Sequence, residues 1–231
     1  MTKLKREYIY GRTDRKQKKI SGMQTVLWMR HVKFWIFVGL AFLSWSISAG
    51  MQRARADMLQ RGISREVLRF HVLANSDREE DQQIKLKVRD DVLEWLERRL
   101  TAEEENDLQL MELRIQELLP EIEKKTESIL KKNGFDYGAQ ARMEKTYFPE
   151  RTYGTCTFPA GEYTALRILL GDARGQNWWC ILFPRLCFLD CVHAVLPRQS
   201  QEQLQKVLTE EEYESLFDPS KDEYKISFKY F

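Results

Sequence analysis

The chain is short of the residues from which active sites are most often built. Its 231 residues include three histidines and four cysteines, and the cysteines, at 156, 180, 187 and 191, include no Cys-x-x-Cys pair. The spacing of Cys187, Cys191 and His193, with Cys180 seven residues earlier, therefore argues against a structural zinc site, and no metal is expected. Glycine is also scarce, at 11 residues. "GDARGQN" at 171–177 has neither the Lys-Ser/Thr nor the helix start of a phosphate loop. Four cysteines are too few for a disulfide-rich scaffold, and the chain is long enough to fold on a hydrophobic core. No internal repeat or low-complexity tract is present.

Charge is unevenly placed. Ten of the 37 basic residues and two of the 35 acidic ones lie in residues 1–33, which leaves 27 and 33 in the remainder and a formal charge of −6 there. The basic excess belongs to the leading segment, so no nucleic acid is expected as a partner. Residues 34–51, "FWIFVGLAFLSWSISAGM", carry no charge. Apolar through Ile47 and small at Ser48-Ala49-Gly50, they form the h-region of a signal or a membrane anchor. In either case residues 1–33 stay in the cytoplasm and everything after Met51 lies on the far side of the membrane. There an even number of cysteines permits disulfides, and Cys180 with Cys187, separated by six residues including Pro184, is the candidate pair.

The organisation expected is a basic cytoplasmic segment (1–33), a signal or anchor (34–51), a linker or frayed helix (52–65) and one α+β domain (66–231). "VLRFHVLA" alternates with period two, as a strand does. "NSDREEDQQIKLKVRDDVLEWLERRL" then changes to a helical period, with Ile84, Val88, Val92, Trp95 and Leu96 on one side. Ser76 and Glu79 have capping-box spacing, and Glu79, Glu80 and Asp81 read as a solvated acidic first turn. A second helix runs from about Leu108 to Lys132, with Pro120 as a kink or break, and stops at Asn133-Gly134. Strands follow at "YGAQARMEK", "TALRILLG" and Trp178–Phe183, with 147–163 as a loop between the first two. Short helices over 200–207 and from a Thr209/Glu212 capping box to Leu216 come next. "YKISFKYF" closes the series as a strand. The fold class is α+β, a single domain with a mixed β-sheet covered by helices.

Catalytic signals are thin. A thiol hydrolase of the cell envelope would use Cys180 or Cys187 with His71 as base and Asn75 or Asn177 to orient it, yet no local signature joins these residues. His71, on a strand, has a structural reading as a partly buried, hydrogen-bonded histidine, and Asn75, Ser76 and Asp77 have turn and cap duties. Trp178 and Trp179 must face opposite sides of their strand, so at most one joins a given core face. The other is either covered or forms an aromatic contact surface.

Two blocks carry a resemblance. "LRFHVLANSDREEDQQIKLKVRDDVLEWL" and "FPERTYGTCTFPAGEYTALRILLGDARGQNWWCILFPRLCF", behind a signal-like segment, resemble the stage II sporulation protein R family. Departures are Arg185 where the family usually has a second proline, the added Cys156 and Cys191, and a longer basic extension with alternative starts at Met23 or Met29. The resemblance implies a signalling protein made in the forespore and exported into the intermembrane space. There it would activate a membrane-bound aspartic protease that processes the sigma-E precursor in the mother cell. It implies no catalytic residue, cofactor or small-molecule substrate. It marks His71, Asn75, Asp77, Gln176, Asn177, Trp178 and Trp179 as candidate partner-contact positions, and it implies contact with the membrane through residues 34–51, at least during export.

Overall fold

The computed structural model describes residues 3–187 and 198–217, with side chains described from Lys33 onward. Two units are distinguished, Met1–Ala56 and Asp57–Phe231. The described residues of the first all lie in helix α1 (Lys3–Arg65). Its most apolar stretch has a mean hydropathy of 1.6, long and apolar enough to cross a membrane. Phe34, Trp35, Phe37, Phe42 and Trp45 are all exposed, an arrangement suited to lipid or an export channel and unsuited to water.

The second unit is an α+β domain, as expected. Its elements after α1 are β1 (Leu68–Leu73), α2 (Glu79–Glu97), a short 3-10 turn, α3 (Leu108–Lys132) and β2 (Ala139–Phe148). These are followed by β3 (Arg151–Tyr153), β4 (Cys156–Phe158), β5 (Gly161–Leu170), β6 (Asn177–Phe183), α4 (Arg198–Val207) and α5 (Glu210–Leu216). Four strands form a mixed sheet in the order β2-β5-β1-β6, and β3 and β4 pair separately. Within the sheet β1 and β5 are parallel, and the outer strands run antiparallel to them.

Both faces of the sheet are covered. On one side Leu68, Phe70, Val72, Leu166, Ile168, Cys180 and Leu182 pack against the stripe of α2 and against Met111, Ile115, Leu118 and Ile122 of α3. On the other, Ala165, Ile181, Phe148 and Tyr163 meet Ile63 at the end of α1, Phe158 of β4, and Leu204, Leu208 and Leu216. Each large apolar side chain removed from water in these layers contributes about 1.5–3 kcal/mol. The second layer explains why β1 alternates in sequence and yet is buried on both faces, with Arg69 and His71 almost fully enclosed.

Several local expectations change. Residues 52–65, read as a linker or frayed helix, are helical to Arg65, and burial of Ile63 and Val67 ties that end into the domain. Pro120 does not break α3, which is continuous. The flanking positions Leu118 and Ile122 are buried and hold both halves on one face, outweighing a local cost of about 3 kcal/mol. The loop expected over 147–163 contains the β3–β4 hairpin. The Ser76/Glu79 capping box does not form: α2 begins at Glu79 with Arg78 at the cap position and no side-chain cap bond. The box expected at Thr209/Glu212 is present. Residues 224–231, expected as a closing strand, and Cys191 and His193 lie outside the described residues.

Candidate functional site

The carboxyl ends of the parallel strands β1 and β5 and the amino end of β6 meet at one edge of the sheet, where open sheets of this kind place their ligand-facing loops. The β1–α2 loop and the β5–β6 loop are bonded together there. Gly175 N–H donates to the Ala74 carbonyl at 2.9 Å and Arg174 N–H to the Asn75 carbonyl at 3.1 Å. Asp172 N–H donates to Asn75 Oδ1 at 2.9 Å. A Cβ on Gly175 would sit 2.2 Å from the Ser76 carbonyl oxygen, so the approach of the two loops requires glycine at this position.

Asp81 is the anchor of this seam. Expected on a solvated first turn, it is instead fully buried. Ser76 Oγ, Asn75 Nδ2 and Tyr137 OH donate to its carboxylate at 2.5, 3.0 and 2.7 Å. Burial pushes the Asp81 carboxyl up, but these three bonds and Arg78 outweigh it and hold the group below the usual carboxylate value. The helix starts three residues after Ser76, whose hydroxyl is directed to Asp81 rather than to a cap. Alongside, Lys85 Nζ donates to Gln82 Oε1 at 2.6 Å and to the Gln176 carbonyl at 3.1 Å. Burial and the neighbouring Arg89 lower the Lys85 pKa, whereas Asp77, exposed on the loop, raises it.

His71 belongs to a polar row crossing the other face of the sheet. Arg167 Nε–H donates to His71 Nδ1 at 3.1 Å, and Arg167 also pairs with Glu144. Arginine is donor-only, so His71 Nδ1 is unprotonated and Nε2–H donates to Asn177 Oδ1 at 2.6 Å. Burial, with Arg167 and Lys85, lowers the His71 pKa to about 4 against the Asn177 bond, which raises it. The imidazole is therefore neutral at pH 7. The folded state resists a proton that the unfolded chain accepts at 6.5, so stability falls as the pH drops from 6.5 to about 4. The loss amounts to about 3 kcal/mol. Thermal unfolding followed from pH 7 to 4 is expected to show this decline in the wild type and a flatter profile in His71→Leu; parallel profiles would remove His71 as its source.

The tryptophans divide between the two faces, as their adjacency required. Trp178 meets Phe70 edge-on at 5.8 Å between centroids and receives the Arg89 guanidinium at 4.9 Å. Trp179 stacks on His71 at 3.9 Å with an interplanar angle of 10° and meets Phe148 at 4.6 Å. Both are partly exposed, and Gln176 and Asn177 beside them are exposed. All seven candidate contact residues thus lie at this end of the sheet: Asn75, Asp77 and Gln176 in the loops, His71, Asn177 and Trp179 on one face, Trp178 on the other.

The thiols do not join them. Cys180 is paired with Phe70, on the face covered by α2 and α3, while His71 is paired with Trp179 on the opposite face. Cys187 also packs against the helix-side core. A Cys180–His71 or Cys187–His71 catalytic pair is therefore not assembled, and both His71 ring nitrogens already have partners. Among the described residues no disulfide joins Cys180 and Cys187, and the turn after β6 brings the Cys187 amide to the Ile181 carbonyl at 3.0 Å. The sequence reading missed Asp81, Lys85, Tyr137 and Arg167. A single arginine inside the apolar strand "TALRILLG" was the available signal for the last; the others required knowing which loops meet.

These features define an α+β domain preceded by a helix of signal or membrane-anchor type. Residues 64–193 match the family model described as Stage II sporulation protein R (spore_II_R), and the chain belongs to that family. It is similar to Stage II sporulation protein R of Bacillus subtilis (strain 168), at 35% identity over 153 residues, 62% of this chain and 66% of the relative. The chain thus spans just under two thirds of the length of the relative that it matches. No solved structure matches. Membership supports a signalling role in sporulation.

Proposed function

We propose that the domain is an exported sporulation signal that acts by binding: it activates a membrane-bound aspartic protease, which then processes the sigma-E precursor in the mother cell. Its place of action on this reading is the intermembrane space, after export from the forespore, with residues 34–51 as cleaved signal or retained anchor. Supporting this is the edge formed by the exposed Gln176 and Asn177 and the partly exposed Trp178 and Trp179, held in place from beneath by His71, Lys85 and the Asp81 seam. A tryptophan held by stacking on a buried, hydrogen-bonded histidine, with exposed amides adjacent, is the composition of a binding hot spot. Binding activates only through differential affinity for the active form of the protease.

Residues 52–231, added to membranes carrying the protease and its precursor substrate, are expected to stimulate processing; no processing above background would sink the proposal. Trp179→Ala and Asn177→Ala are each expected to reduce stimulation about tenfold. Leu113→Ala, exposed on α3, is expected to leave it unchanged.

A further inference from the structure

Arg69 is the second residue of β1 and is fully buried. Among the described residues none of its three guanidinium nitrogens has a hydrogen-bond acceptor. Four rings surround it: its Cζ lies 4.5 Å from the Phe148 centroid, 4.9 Å from Tyr163, 5.6 Å from Phe158 and 5.7 Å from Tyr153. Ring faces attract a cation but accept none of the five N–H bonds that a guanidinium directs in its own plane. A buried cation with an unfilled donor edge is costly to a fold, and an apolar side chain of similar volume would be preferred on stability alone.

We propose that Arg69 is a receiving site for a carboxylate, supplied by an acidic residue of the binding partner. The guanidinium is clamped between ring faces with its donor edge reserved, and a planar carboxylate matches that edge with two parallel bonds. Entry is through the β3–β4 hairpin, which contributes Tyr153 and Phe158 to the box. Its strands are three residues each and pair only with one another in the described sheets, and such a ribbon has little stability of its own. The box adjoins the candidate contact surface. Trp179 touches Phe148, and its carbonyl accepts from Tyr153 OH at 3.3 Å. A partner seated on Trp179 therefore has the hairpin within reach. The partner assignment rests on the proposed function; the carboxylate site itself does not.

The test uses the full chain in detergent, with acetate as probe against chloride at matched ionic strength. Acetate is expected to raise the unfolding midpoint of the wild type by about 3 °C or more and to leave Arg69→Met unmoved. No wild-type shift overturns the site, and an equal shift with inorganic phosphate overturns its assignment to carboxylates. Without acetate, Arg69→Met is expected to unfold above the wild type; a midpoint several degrees below it marks Arg69 as a structural centre and overturns the proposal. Arg69→Lys, which keeps the charge and loses the fork, is expected to fold with a reduced acetate shift, and an undiminished shift overturns the fork. In the processing assay Arg69→Met is expected to lose at least tenfold, and full stimulation overturns the partner's role. A wild type silent in that assay removes the proposed function, and the acetate shift then decides the site alone.

Discussion

Asp81→Ala is expected to lower the unfolding free energy by about 3–5 kcal/mol, because it strands three donors that have no other acceptor of comparable geometry. Ser76 Oγ, Asn75 Nδ2 and Tyr137 OH all converge on this one buried carboxylate, and each either remains unsatisfied or must rotate toward water. Asp81→Asn is a milder change in volume but in its better orientation presents an NH2 group to the Tyr137 hydroxyl, which already donates there, so about 2 kcal/mol is expected. Urea denaturation of the wild type and both variants checks the order. A loss below about 1 kcal/mol for Asp81→Ala would mean that the backbone bonds between the two loops hold the seam without it. The pH dependence has a definite sign. With the folded pKa of Asp81 held below its usual 3.8, the contribution is present above that value and is lost as the pH falls through the lower, folded one. It therefore begins where the decline due to His71 is ending, and acid unfolding should extend through both ranges.

Phe148→Ala is the second large effect, expected at about 3–5 kcal/mol. The ring is fully buried and touches the Arg69 guanidinium, Tyr163, His71 and Trp179. Its removal leaves a cavity beside an unpaired cation, lined by Tyr163, His71 and Trp179. Each kcal/mol corresponds to about 2–4 °C for a domain of this size, so a midpoint about 6–20 °C lower is expected by calorimetry. Phe148→Leu, which retains most of the volume, is expected to lose less than half as much. Equal losses would show that ring geometry rather than filled volume is at work. Because Trp179 loses an edge contact in both variants, partner binding is expected to fall along with stability.

Much of the fold was legible because its elements obey local rules. The bounds of α3 follow from an apolar stripe and a glycine stop, and the α5 capping box from two side chains three residues apart. Even the division of Trp178 and Trp179 between opposite faces is a necessity of strand geometry. The expectations that failed concern residues whose partners are distant in sequence. Ser76 and Glu79 have the spacing of a cap, but Tyr137, 56 residues from Asp81, helps to draw Asp81 inward and Ser76 with it.

The sequence alone therefore determined the class of the domain, the export or anchor segment and most of the helices and strands, since period, charge order and capping act within a few residues. The family blocks also marked in advance the seven residues that meet at one end of the sheet. Only the tertiary structure decided what those residues do for one another. The neutral tautomer of His71 is imposed by Arg167 across a parallel strand pair, the burial of Asp81 by two loops stitched together, and the enclosure of Arg69 by four rings from β2, β3, β4 and β5. Each depends on long-range pairing of strands, which local pattern does not encode.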